Sequence, residues 1–241
     1  MTFPTINKLY AVIEETWSAR AKQALGPWTI RIDDSGSSRV SAATAEMPFS
    51  DDDIAQAEQA MRDAGQKPLF MIREGDQELD SALAARGYVI KDPVNLYVAP
   101  VEDIAKERPP AITCFEVWPP LATQVEIWAA GGIGAGRLDV MDRARQPKTT
   151  LLGRLNDKPA GTVFVGIAAD CAMIHALEIG ADHRRQGLAR HLTTAAAFWA
   201  RDHGATYLAL VTTQANVSAN ALYSSLGMTV VGQYHYRTLP E

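Results

Sequence analysis

His183-Arg184-Arg185-Gln186-Gly187-Leu188-Ala189-Arg190, HRRQGLAR, gathers arginines around one glycine in a chain whose formal net charge is −5. The apolar run Met173–Ile179 precedes it, and an amphipathic stretch from Leu188 to His203 follows. That order reads as strand, loop, helix. A helix start leaves its first amides unpaired and carries the positive end of the helix dipole. Glycine lets an anion come close to such a backbone, and small Ala189 leaves the helix start uncovered. The corner is therefore a candidate anion site. An exposed arginine loop with a glycine bend is the plainer alternative.

The composition frames this corner without explaining it. Hydrophobic residues make up 47% of the 241 positions and charged residues 21%, as in a globular chain with ample core. The acidic balance argues against general nucleic-acid binding, which needs a basic footprint. It is weakly compatible with a cationic amine as partner. Cys114 and Cys171 form neither a disulfide framework nor a metal-ligand spacing, so no metal is expected. The opening MTFPTINKLYAVIEETW does not match a secretory leader, and no apolar run approaches transmembrane length. A cytoplasmic protein without a membrane partner is the expectation.

Strands alternating with helices imply an α/β layered fold. The expected elements are a helix over about 6–24, strands near 28–32 and 39–43, a helix after Ser50 stopped by Gly65, and the strand PLFMI. A helix ending at Gly87 and a strand pair broken by Pro93 follow. Residues 101–111, charged and ending in Pro109-Pro110, read as a linker between segments 1–100 and 112–241. Beyond it come a strand at 113–117, helical residues 121–144 interrupted by GGIGAGR, and strands at 149–155, 161–167 and 173–179. The helix 188–203, a strand at 207–212, a helix at 217–226 and a last strand pair to Arg237 complete the chain. Helix, Gly204, strand, helix, Gly227 repeats the order helix, Gly65, strand, helix, Gly87. This reads either as two copies of one unit or as the ordinary recurrence of α/β chains.

A second element is Asn216-Val217-Ser218-Ala219-Asn220-Ala221-Leu222-Tyr223-Ser224-Ser225-Leu226-Gly227-Met228. Helical spacing puts Ala219, Leu222, Tyr223 and Leu226 on one face. Tyr223 then looks inward, either as a proton donor or as a core aromatic.

Together, Arg184-x-x-Gly187-x-Ala189 after a strand and Asn216-x-x-Ala219-x-x-Leu222-Tyr223-x-x-Leu226-Gly227-Met228 resemble the two cofactor motifs of the GCN5-related N-acetyltransferases. The resemblance covers about Ile112 to Arg237. It implies a mixed, mostly antiparallel α+β sheet that splays open, flanked by helices, with acetyl-CoA as co-substrate. The resemblance assigns Arg184, Arg185, Gln186, Gly187, Leu188, Ala189 and Arg190 to the pyrophosphate. Leu177 and Ile179 fall to the pantetheine arm, Asn216 to a second cofactor contact, and Tyr223 to the cofactor and to the general acid. For the base, His175 matches a histidine of the arylalkylamine acetyltransferases. Glu178 is the other candidate; strict alternation puts it on the opposite face, and a β-bulge would bring it round.

The first half lacks these features. Leu83 falls opposite Tyr223, and Asp51, Asp52 and Asp53 occupy the helix start after Ser50. It resembles a degenerate copy of the same domain, giving a tandem arrangement. GGIGAG, Gly131 to Gly136, follows a helical stretch rather than a strand. It reads as a connection on the acceptor side, with a lid as one possible role. The expected activity is transfer of an acetyl group to a primary amine, of a small molecule or of a protein N-terminus or lysine, by a monomer or homodimer. The alternatives are a non-catalytic acyl-CoA sensor and the use of another acyl-CoA.

Overall fold

The computed structural model describes residues 3–240. Helix α1, Ile6–Thr16, is followed by strands β1, Ala21–Leu25, and β2, Trp28–Ile32. The short helix α2, Ser38–Ser41, leads into β3, Ala43–Ala45; α3, Asp51–Asp63, β4, Leu69–Ile72, and α4, Gln77–Ala85, follow. Next come β5, Val89–Pro100, α5, Val101–Ile104, β6, Cys114–Val117, α6, Ala122–Ala130, and α7, Ala135–Arg143. Strands β7, Lys148–Leu155, β8, Lys158–Ala168, and β9, Cys171–Ile179, precede α8, Leu188–Asp202. The chain closes with β10, Tyr207–Thr213, α9, Val217–Ser225, and β11, Thr229–Thr238.

All strands belong to one eleven-stranded sheet in the order β1-β2-β3-β4-β11-β5-β10-β9-β8-β7-β6. The pairs β3–β4 and β9–β10 are parallel; the others are antiparallel. The centre of the order carries the main surprise. Strand β11 lies between β4 and β5, with His235 opposite Ile72 and Tyr234 opposite Val94. Strand β5 lies between β11 and β10, with Leu210 opposite Tyr97. Each half therefore lends its last strand to the other, and segments 1–100 and 112–241 interlock.

The repeated order of glycines is now a repeated geometry. Gly65, Gly87, Gly204 and Gly227 all take positive φ, between 76° and 85°. In the two shorter helices the amide after the glycine closes the helix: Tyr88 N–H donates to Leu83 O at 3.0 Å, and Met228 N–H to Tyr223 O at 3.1 Å. Leu83 and Tyr223 thus hold the same place in the two halves, one helical turn before the same left-handed stop.

Four expectations change. The first helix ends at Thr16, because Ala21–Leu25 turns through Gly26-Pro27 to pair with β2. Residues 38–41 are helical, and the strand begins only at Ala43. The two expected strand pairs, around Pro93 and at the C-terminus, are single long strands carrying bulges. Pro93 is tolerated because Asp92, at φ 46°, bends β5 there and the pairing shifts register. The linker region starts as α5, whose Val101 and Ile104 are buried in the core beneath α8.

Helix α8 covers one face of the second-half sheet, burying Leu188, Leu192, Ala196 and Trp199 against Val163, Val165, Leu208 and Leu210. The opposite face is covered by α1, a first-half helix. Its Leu9, Val12 and Ile13 pack on Leu96, Val98, Met173 and Ala209. Each such side chain contributes about 1.5–3 kcal/mol on full burial, so α1 joins the halves in addition to the strand exchange.

Candidate functional site

Strands β9 and β10 pair from Tyr207 and Cys171 as far as Leu210 and Ile174, and there the ladder ends. Beyond it, the β10-facing backbone of residues 175–179 has no strand partner among the described residues. Strand β9 bends at the same point. Thr162 lies opposite Glu178 and Phe164 opposite His175, so Val163 faces two residues, Ala176 and Leu177. Ala176 takes φ 49°, a left-handed conformation uncommon for alanine. Trp128 of α6 pins the bulge by donating from Nε1 to the Ala176 carbonyl at 2.7 Å.

The bulge resets the faces of the strand. Thr162 and Phe164 share a face, so Glu178 and His175 share one too. The space for Glu178 comes from Gly131: a Cβ there would lie 2.5 Å from the Glu178 carboxyl carbon. Arg184 holds the carboxylate at 3.0 Å and also donates to the Ile179 carbonyl. The Gly131–Gly136 run is packed at its other end as well, where a Cβ on Gly136 would meet Ser35 Cα at 2.7 Å.

His175 is sealed in. It is 2% exposed, stacked on Trp17 at 4.9 Å, and bonded at both ring nitrogens. Arg39 can only donate, so Nδ1 accepts from it at 2.8 Å. Thr16 Oγ1 donates to the Val12 carbonyl and accepts from Nε2–H at 2.8 Å. Burial, then Arg39, hold the imidazole well below its ordinary pKa. His175 is neutral, and its lone pair is already engaged.

The HRRQGLAR corner leads directly into α8. Gly187 caps the helix at φ 84°, and no side chain caps it. The amides of residues 185–190 find no acceptor among the described residues. Leu188 is buried beneath the corner, while Arg185, Gln186, Gly187 and Arg190 are exposed. Arg190 donates to Ser225 at 2.6 Å, tying α8 to α9, and Gln186 donates to Asp182 O. With Arg184 turned to Glu178, Arg185 is left beside the bare amides.

Tyr223 projects from α9 into the core beside Tyr97, with ring centroids 5.7 Å apart. Its hydroxyl makes no hydrogen bond among the described residues, and burial pushes its pKa up to about 12. Asn216 caps α9 through its Oδ1 to Ala219 N–H, leaving its amide group free. Sequence reasoning missed Asn220. It accepts from Tyr97 Oη and Asn95 Nδ2 at 2.9 Å and donates to the carbonyls of Thr213 and Asn216. It locks α9 to the exchanged strand β5. Its place one helical turn after Asn216 was the signal available.

The first half has the same parallel opening, between β3 and β4, with the single register pair Ala43–Phe70. Arg73 closes it, donating across the gap to the Ala45 carbonyl and to Glu46. The corresponding helix α3 is capped from within: Ser50 and Asp53 form a reciprocal capping box. A cavity of about 690 Å³ lies here, lined among others by Glu14, Arg39, Glu46, Arg73 and Glu74. With a side-chain cap on α3, three carboxylates in its first turn and Arg73 across the opening, the first half does not repeat the second-half corner.

The family model of the acetyltransferase (GNAT) family matches residues 102–228, over half the chain and including both motifs. The chain belongs to the GNAT family. A GCN5-related N-acetyltransferase from Kribbella flavida is similar over 99% of this chain and 97% of its own, at a TM-score of 0.73 and 21% identity. A functionally unknown conserved protein from Staphylococcus epidermidis reaches 0.68 at 13% identity, over 91% of this chain and 93% of its own. A tandem GNAT protein from the clavulanic acid biosynthesis pathway reaches 0.58 at 14% identity, over 83% of this chain and 76% of its own. At such identities the likeness is one of fold, and that fold is a mostly antiparallel open sheet flanked by helices. No curated protein matches in sequence. Among the described residues no helix is long and apolar enough to cross a membrane, and no cluster of metal-ligating side chains occurs.

Proposed function

We propose that this GNAT protein is an acetyl-CoA-dependent N-acetyltransferase with one working site, in the second half. The observation that carries this is the uncapped start of α8, a set of free amides at 185–190 beside an open strand edge. Those amides, with Arg185 alongside, hold the pyrophosphate of coenzyme A. The free edge of β9 at Leu177 and Ile179 takes the pantetheine arm as an added strand, and Asn216 offers its unused amide group. Acetyl-CoA, when bound, supplies the thioester whose C–S bond breaks as the acceptor's N–C bond forms.

Tyr223 keeps its proton throughout the neutral range and delivers it to the departing thiolate. Glu178 takes the proton of the acceptor amine, directly or through one water. It stands at the bulge, is partly exposed, and is held in place by Arg184 and Gly131. His175 serves the site differently: with its lone pair engaged, it positions Arg39 rather than accepting a proton. The first half, with Arg73 across its opening, binds no coenzyme A.

Calorimetry with acetyl-CoA tests the reading. One cofactor per chain is expected, with binding lost in Gly187→Glu, which places a carboxylate at the helix start. Tight binding in that variant, or two cofactors per chain, would overturn it.

A further inference from the structure

Resting on the second-half acceptor reading, we infer that the acceptor is a primary amine that also carries a carboxylate, and that Arg39 and Arg137 bind that carboxylate. A cavity of about 370 Å³ opens at the mouth of the splay, with Ala176 of β9 on one side and Val211, Thr212 and Thr213 of β10 on the other. Its volume suits an amino acid or a comparably small molecule. Arg39 and Arg137 both line it, one from the first half and one from α7. Neither forms an ion pair among the described residues. Arg39 gives one nitrogen to His175 and lies over the Trp17 ring at 4.8 Å. Arg137 makes only a 3.4 Å contact with the Gly36 carbonyl.

Two half-buried guanidinium groups facing one cavity repel each other, and the strain shows in Arg137: burial, then Arg39, hold its pKa below the ordinary value. Arg39 also borders the first-half cavity that Glu14, Glu46 and Glu74 line, yet no carboxylate among the described residues pairs with either guanidinium. At the exposed rim Lys91 and Asp92 cancel. A carboxylate offers two oxygens in the geometry that guanidinium groups bind best. It would relieve the repulsion and take up donors that are otherwise unused. The acceptor keeps the cationic amine with which the acidic composition is compatible and adds a carboxylate to it. The arrangement also explains what the first half contributes. Without a cofactor site of its own, it supplies Arg39, Trp17 and Thr16 to the neighbouring one.

The test reads binding without turnover, so it stands apart from the cofactor experiment. Trp17, one of five tryptophans, lines the cavity under Arg39, and the part of the fluorescence change that Trp17→Phe abolishes reports occupancy. N-acetylglycine, N-acetyl-β-alanine and N-acetyl-γ-aminobutyrate are titrated against their carboxamides, and calorimetry cross-checks each. At least one acid should bind about tenfold or more tighter than its amide, as charge-assisted pairing requires. Arg137→Gln, which removes no bond of the fold except the long one to Gly36, should erase that preference. Arg39→Gln should erase it as well, with thermal melting reporting any loss of fold. Equal binding of acids and amides, no binding of either, or a preference that survives Arg137→Gln would overturn the inference. Loss of coenzyme A binding alone would count only against the acetyltransferase reading.

Discussion

Arg39 donates to His175 Nδ1 at 2.8 Å across 136 residues of sequence, joining α2 of the first half to the bulged strand of the second. This bond fixes the tautomer of a buried imidazole and, in the same stroke, holds a guanidinium at the cavity between β9 and β10. It engages the imidazole lone pair and sets a pH signature.

Because burial depresses the folded-state pKa of His175 below its ordinary 6.5, the unfolded chain takes up a proton that the folded one refuses. The stabilisation is complete above pH 6.5. It declines as the pH falls below that value, by up to about 1.4 kcal/mol per pH unit. His175→Gln removes this contribution. Urea unfolding at about pH 5.5 and about pH 7.5 should show a steeper acid loss in the parent than in the variant. Equal acid losses would mean that His175 can be protonated in the fold.

Tyr223, with its pKa pushed up to about 12, stays protonated across the neutral range. Tyr223→Phe should lower the single-turnover rate of thiol release by about 10²-fold. Acetyl-CoA affinity by calorimetry should stay as it was, and the parent should show no loss of the acid up to about pH 9. An unchanged single-turnover rate removes Tyr223 from the chemistry.

Gly131 and Gly136 predict opposite failures. The three atoms nearest a methyl at Gly131 all belong to the Glu178 side chain, which can swing away. Gly131→Ala should therefore leave the melting temperature nearly intact and cut turnover as Glu178→Gln does. A methyl at Gly136 meets the backbone of Ser35. Gly136→Ala should cost about 1–3 kcal/mol of stability. Full activity in Gly131→Ala would argue that Glu178 needs no fixed position.

Much of the corner was legible because its determinants are local. Gly187 sets a left-handed turn, Ala189 keeps the helix start open, and Ser50 with Asp53 closes the other copy; each acts within a few residues. The two glycine-stopped helices were legible for the same reason, and with them the equivalence of Leu83 and Tyr223. The bulge was anticipated as a possibility, but not its position. Only the pairing of Thr162 with Glu178 and of Phe164 with His175 places it at Ala176.

The sequence by itself determined the local units: caps, stops, the anion-ready helix start and the family to which they belong. Tertiary structure alone decided that β5 and β11 change places, that α1 covers the second half, and that Arg39 and Arg137 meet in one cavity. Backbone dihedrals and capping bonds are set by neighbours a few positions away. Strand exchange and side-chain convergence depend on which sheet edges and apolar faces remain open when both halves collapse together. No short stretch of this chain encodes that choice, because each half completes its sheet only with a strand from the other.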